Sequence, residues 1–154
     1  MFDTPNNDRY FEDYRPGAVH EFTDTITVDG ERMVEFAKEF DPQPFHVDPA
    51  AGGPFGGLIA SGWHTAAMMM RLFADNYLST VASLASPGVD ALRWHVPVRA
   101  GDTLRLRATV RDTTRSKSKP DRGIIHTGVE VLNQRDEVVM TLSAVNFMRL
   151  REAN

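Results

Sequence analysis

The chain has 154 residues, enough for one domain with a sizeable core and too few for two. Hydrophobic residues make up 42% and charged residues 25%, and the formal net charge is −4, so nothing argues for a nucleic-acid-binding surface. The absence of cysteine excludes disulfides, thiolate nucleophiles and cysteine metal sites, and allows a reducing compartment.

Residues 1–16 are polar, mixed in charge and without periodicity, and they read as an irregular N-terminal arm to a single domain spanning 1–154. They do not resemble a signal peptide, and the apolar run near Met68 is too short to cross a bilayer. The expectation is a cytoplasmic protein without a membrane partner. Val19 to Val28 is rich in threonine and β-branched residues, with Phe22, Ile26 and Val28 of one parity, and reads as a strand interrupted by Asp24. Asp29 suits the N-cap of a helix from Glu31 to Phe40, in which Met33, Phe36, Ala37 and Phe40 share one face. Pro42 ends that helix.

The next stretch, Phe40-Asp41-Pro42-Gln43-Pro44-Phe45-His46-Val47-Asp48, is the most informative in the chain. It holds a carboxylate and an imidazole apart by a link containing two prolines. Proline fixes φ and pushes the residue before it to extended geometry, so the link is predicted to be stiff and non-helical. Stiffness suits a catalytic pair, because a small misplacement of an acid or base costs orders of magnitude in rate. A carboxylate at a helix C-terminus meets the negative end of the macrodipole, so Asp41 does little there for stability. Asp48 reads as a loop cap. Gly52, Gly53, Gly56 and Gly57 lack the preceding strand of a phosphate-binding fingerprint and read as turn formers in a long loop.

Ser61 can cap a second helix running to about Tyr77, apolar over most of its circumference and therefore predicted to be buried. Ser61 lacks the context of a nucleophile elbow, and Met68-Met69-Met70 reads as core. Four alternating stretches follow. They are Leu92 to Val98; Leu104, Leu106, Ala108 and Val110; Ile125, Thr127, Val129 and Val131; and Val138, Met140, Leu142 and Ala144. Each predicts an antiparallel strand with one buried face. The link from Arg111 to Arg122 holds Arg115, Lys117, Lys119 and Arg122, and reads as a solvated hairpin loop. The alternative is that these cations meet the phosphates of coenzyme A. His20, His64, His95 and His126 are scattered and form no ligand pair, so no metal site is expected. The order predicts an α+β domain, an antiparallel β-sheet wrapped around a central buried α-helix. Its strand edges predict a homo-oligomer.

Asp41-Pro42-Gln43-Pro44-Phe45-His46, followed by Asp48, resembles the hydratase motif of MaoC-like dehydratases, the (R)-specific enoyl-CoA hydratase family. Ala60-Ser61-Gly62 resembles the opening of that family's central helix. Pro97-Val98-Arg99-Ala100-Gly101-Asp102-Thr103-Leu104 resembles its strand-turn-strand segment. The likeness covers roughly residues 25–148. It departs at three positions, where the family form has a small residue, asparagine and histidine and this chain has Phe40, Gln43 and Ser61. Met70 lies near the place of a hydroxyl-bearing helix residue.

The resemblance implies a hot-dog fold and a homodimer or higher homo-oligomer with the active site near the interface. It implies an acyl-CoA or acyl-carrier thioester as substrate, with coenzyme A part of the substrate and no other cofactor. Carried over residue by residue, Asp41 and His46 become the catalytic pair, and the backbone N–H of Gly62 becomes the donor to the thioester carbonyl. The implied activity is a hydro-lyase acting on the 2,3-double bond of a 2-enoyl or 3-hydroxyacyl thioester. The alternatives are an acyl-CoA thioesterase of the same fold and a non-catalytic acyl-thioester-binding subunit.

Overall fold

A computed structural model describes residues 2–51 and 53–152, so Gly52 lies outside the described residues. The elements are β1 (Val19–Glu21), β2 (Ile26–Thr27), α1 (Gly30–Phe40), α2 (Pro44–Val47), α3 (Gly62–Asn76), β3 (Gly88–Trp94), β4 (Thr103–Arg115), β5 (Arg122–Leu132) and β6 (Val138–Arg149). All strand pairs are antiparallel, in the order β1-β4-β5-β6-β3, with β2 also on β4. The sheet curls around α3, which is the hot-dog architecture.

The alternation in the later strands does what its period dictates. Leu104, Leu106, Ala108 and Val110 of β4 are fully buried, as are Ile125 and Val131 of β5 and Met140 of β6. They meet Met68, Met69, Leu72 and Phe73 from one face of α3 in a single cluster. That helix is not buried all round as its composition predicts. One sheet covers one side, and Trp63 and Met70 on another side remain 59% and 45% exposed.

Three further expectations need correction. The strand over Val19 to Val28 is two short strands, because the chain bends away at Thr23 before Asp24 and rejoins β4 at Ile26. The strand over Leu92 to Val98 lies earlier, at Gly88–Trp94, since Pro97 has no N–H for a ladder. It also lacks a buried face. It is an edge strand, irregular between Asp90 and Arg93, and only Leu92 is partly covered. The basic loop is shorter than predicted because Arg111 and Arg115 belong to β4 and Arg122 to β5.

The N-terminal arm is irregular as expected, but it packs as part of the core. Phe11 and Tyr14 are buried. Phe11 lies against Gly123, where even a Cβ would overlap its ring. Arg9 donates to the carbonyls of Asn76 (2.8 Å) and Tyr77 (2.9 Å), and the Tyr14 hydroxyl also donates to Tyr77 O (2.7 Å). The arm thus satisfies the carbonyls at the end of α3 and puts a cation at the negative end of its dipole. Beneath the arm, His20 stacks on Phe2 (3.7 Å between ring centres), and neither ring nitrogen has a hydrogen-bond partner among the described residues.

Burial, with Arg9 nearby, pushes the His20 pKa down to about 4. The folded state therefore favours the neutral ring. Its stabilising effect is complete above the unfolded value of about 6.5 and is lost as pH falls toward 4. Relative to a His20→Phe variant, the wild-type chain should lose on the order of 3 kcal/mol of unfolding free energy across that window. Urea unfolding of both proteins at a series of pH values measures the difference. Parallel pH profiles would contradict it.

Candidate active site

Two helix ends and a one-turn helix build the site. Asp29 caps α1, accepting from Glu31 N (2.9 Å) and Arg32 N (3.2 Å), and Asp41 is the residue at which α1 ends. Between Asp41 and His46 the link is not non-helical as predicted, for Pro44 is the first residue of α2. A proline there loses no intrahelical bond, and its fixed φ favours the turn. The stiffness expected of the link is delivered by this turn, in which His46 N donates to Gln43 O (2.9 Å). Asp48 acts as the expected loop cap, accepting from Ala50 N (2.9 Å).

Asp41 and His46 meet. His46 Nε2 lies 3.3 Å from Asp41 Oδ2, and the two side chains are 7% and 16% exposed. The other ring nitrogen, Nδ1, lies 2.8 Å from the Ile59 carbonyl. A carbonyl only accepts, so Nδ1 carries a proton. In the neutral ring Nε2 is then an acceptor beside the carboxylate.

Two donors hold that carboxylate. Ser61 Oγ donates to Oδ2 (2.7 Å) and Gln43 Nε2 to Oδ1 (2.7 Å). These are two of the three positions that depart from the family pattern, and both serve Asp41. The Ser61 and Gln43 bonds, with a smaller contribution from His46, hold the carboxyl below the usual carboxylate range against the opposing effect of burial. Ser61 also accepts from Trp63 N (3.3 Å), so one fully buried hydroxyl caps α3 and orients Asp41. The third departure, Phe40, is 65% exposed and lines no wall of the site. Met70 is on the exposed side of α3 and does not line it either.

Gly62 is the first residue of α3. The Trp94 indole N–H donates to its carbonyl (3.0 Å), and the Trp94 ring lies so close that a Cβ on residue 62 would overlap it. Glycine is required there by packing. Asp41, His46 and Gly62 all line one cavity of about 330 Å³, together with Gln43, Thr65 and His95. Sequence reasoning missed Thr65, Trp94 and His95 as site residues. Thr65 lies one turn after Gly62, a spacing that could have marked it, whereas Trp94 and His95 arrive from the far end of the sheet. Among the described residues no group of three or more histidine, aspartate and glutamate side chains is placed to hold a metal. The basic hairpin lies at the other end of β4, whose 13 residues span about 40 Å from the cavity end of that strand.

With this geometry in place, the comparison with known proteins is direct. The family model of the MaoC like domain matches residues 12–132. The chain belongs to this family. It is 30% identical over 130 residues to 3-hydroxyacyl-thioester dehydratase Z of Mycobacterium tuberculosis, covering 82% of this chain and 86% of the relative. Among solved structures it is similar to a MaoC-like dehydratase from Rhodospirillum rubrum, with 39% identity, a TM-score of 0.86, and coverage of 94% of this chain and 99% of the other. An (R)-hydratase from Pseudomonas aeruginosa, 24% identical with a TM-score of 0.70 and coverage of 93% and 86%, shares the fold. Among the described residues of this MaoC-like domain no helix is long and apolar enough to cross a membrane.

Replacing Ser61 by alanine should remove both functions of its hydroxyl. Loss of the cap should cost about 1 kcal/mol of stability. Loss of the donor should raise the Asp41 pKa, while Gln43 continues to hold the other oxygen. Denaturant unfolding and a carbon NMR titration of the Asp41 carboxyl check the two effects. An unchanged titration would show that Ser61 does not tune the carboxylate.

Proposed function

We propose that the protein adds or removes water across the 2,3-double bond of an acyl thioester, carried on coenzyme A or a carrier protein, with Asp41 and His46 as the acid–base pair. The observation that carries this reading is the 3.3 Å approach of His46 Nε2 to Asp41 Oδ2 at the wall of a cavity that Gly62 also lines. A relative 30% identical bears the name of a 3-hydroxyacyl-thioester dehydratase, which supports the same chemistry.

The residues account for each part of the reaction. A water donating one hydrogen toward Asp41 Oδ2 and the other toward His46 Nε2 is held with its oxygen lone pairs free. Attack on C3 of the enoyl group leaves the hydroxyl there and moves negative charge through C2 to the thioester oxygen. That oxygen meets the N–H of Gly62 at the positive end of α3. The proton taken from water by the pair passes to C2 on the same face. Dehydration is the reverse, and no other cofactor enters. Acid–base groups of this kind contribute about 10²–10⁴-fold.

The reading includes association of copies of the chain through β3. That edge strand carries Val89 and Trp94, 51% and 45% exposed, and Trp63 is close to Trp94 (5.3 Å between ring centres). Unpaired edges and exposed aromatic surface favour an interface.

The test is loss of enoyl absorbance from crotonyl-CoA and a panel of longer and branched 2-enoyl-CoAs. The wild-type protein should hydrate at least one of them. Asp41→Asn and His46→Ala should each lower kcat by about 10²–10⁴-fold on that substrate. Full activity in Asp41→Asn, or release of free thiol in place of hydration, would overturn the proposal.

A further inference from the structure

A second cavity, of about 550 Å³, opens between α1 and α3 and shares no lining residue with the first. Its walls follow helical spacing. Arg32 and Phe36 come from one face of α1, and His64, Ala67, Met68 and Arg71 from one face of α3. Ile26 of β2 adds to an apolar floor. The volume is in the range of small-molecule sites.

Two features of the lining point to a ligand. His64 stacks face to face on Phe36 (4.7 Å between ring centres), and its buried Nδ1 has no hydrogen-bond partner among the described residues. That nitrogen is sealed from solvent and from any occupant of the cavity, so it keeps its lone pair and the ring carries its proton on Nε2, which makes no hydrogen bond among the described residues and calls for a group from outside the chain. The lining holds two guanidinium groups, Arg32 and Arg71, against one carboxylate. Arg32 forms no ion pair among the described residues, and Arg71 is tied to Asp75 (2.7 Å) on the exposed side of α3. The one carboxylate in the lining, Asp29, is engaged in capping α1 through Oδ1.

We infer that this cavity binds an amphipathic carboxylate, its head held by Arg32, Arg71 and the His64 ring and its apolar body on Phe36, Met68 and Ile26. Burial and the adjacent Arg32 hold the His64 pKa below its ordinary value, so the ring is neutral and free to donate from Nε2 to a carboxylate oxygen. Guanidinium groups match the planar carboxylate in shape as well as charge. The inference does not depend on the hydratase reading, because neither Asp41 nor His46 lines this cavity.

The experiment titrates octanoate into the intact protein, with heat of binding giving affinity and the ring nitrogen signals of His64 and His46 giving location. Octanoate should shift His64 and leave His46 unmoved. Octanol and acetate, each lacking one half of the ligand, should bind at least ~10-fold more weakly, and Arg32→Gln with Arg71→Gln should weaken octanoate by a similar factor. Ala67→Trp, which fills the cavity from an exposed helix position, should abolish binding. Octanoate affinity that survives both the double arginine variant and Ala67→Trp would overturn the inference. So would a response at His46 in place of His64, or octyl phosphate binding at least ~10-fold more tightly than octanoate.

Discussion

The hydroxyl of Ser61 stands where the end of one helix meets the start of another. It donates to the carboxylate at the end of α1 and accepts from the second residue of α3, and it is fully buried. Its position is fixed from below. Met68, Met69, Leu72 and Phe73 are buried against the sheet, so α3 cannot turn about its axis without losing that burial. At the other end Arg9 and Tyr14 hold the terminal carbonyls. A helix fixed by its packed face and at both ends places the Ser61 oxygen, and the Ser61 oxygen places Asp41.

The remaining groups are fixed by equally local means. The Ile59 carbonyl sets the orientation of the His46 ring and decides which nitrogen faces Asp41. Trp94, arriving from the edge of the sheet, packs on Gly62 and donates to its carbonyl. The site is therefore assembled at the seam between α3, the α1–α2 corner and the edge strand. A carboxylate kept ionised, an imidazole whose Nε2 faces it, and a helix N-terminus together form an arrangement in which water is held and polarised near an electrophile.

Much of this was legible in the residues. Of the face that spacing marked on α1, Met33 and Ala37 are buried and Phe40 is exposed; Asp29 marked the cap of that helix, and the parity of Leu104 to Val110 marked the inner face of β4. Asp41 and His46 could be singled out because prolines limit the conformations of the link between them. The form of that link could not, since a proline that breaks a helix interior also starts a helix well. The roles of Gln43 and Ser61 toward Asp41 depend on where Asp41 is brought by packing, which local sequence does not encode. The same holds for Trp94, some thirty residues beyond Gly62. The exposed side of α3 was misread because composition reports how apolar a helix is, not how many layers cover it. Gly123 and Phe11, which admit each other, lie too far apart in the chain for any periodicity to reveal.

The central claim is that Asp41 and His46 deliver one water to one face of an enoyl thioester. The direct measurement is hydration in D₂O of a 2-enoyl-CoA that the protein accepts, with the product's deuterium located by NMR. The account predicts one deuteron on C2, on the same face as the new hydroxyl on C3, and no such product from Asp41→Asn. A deuteron on the opposite face, or an unlabelled acid with its double bond intact left as free thiol is released, would contradict it.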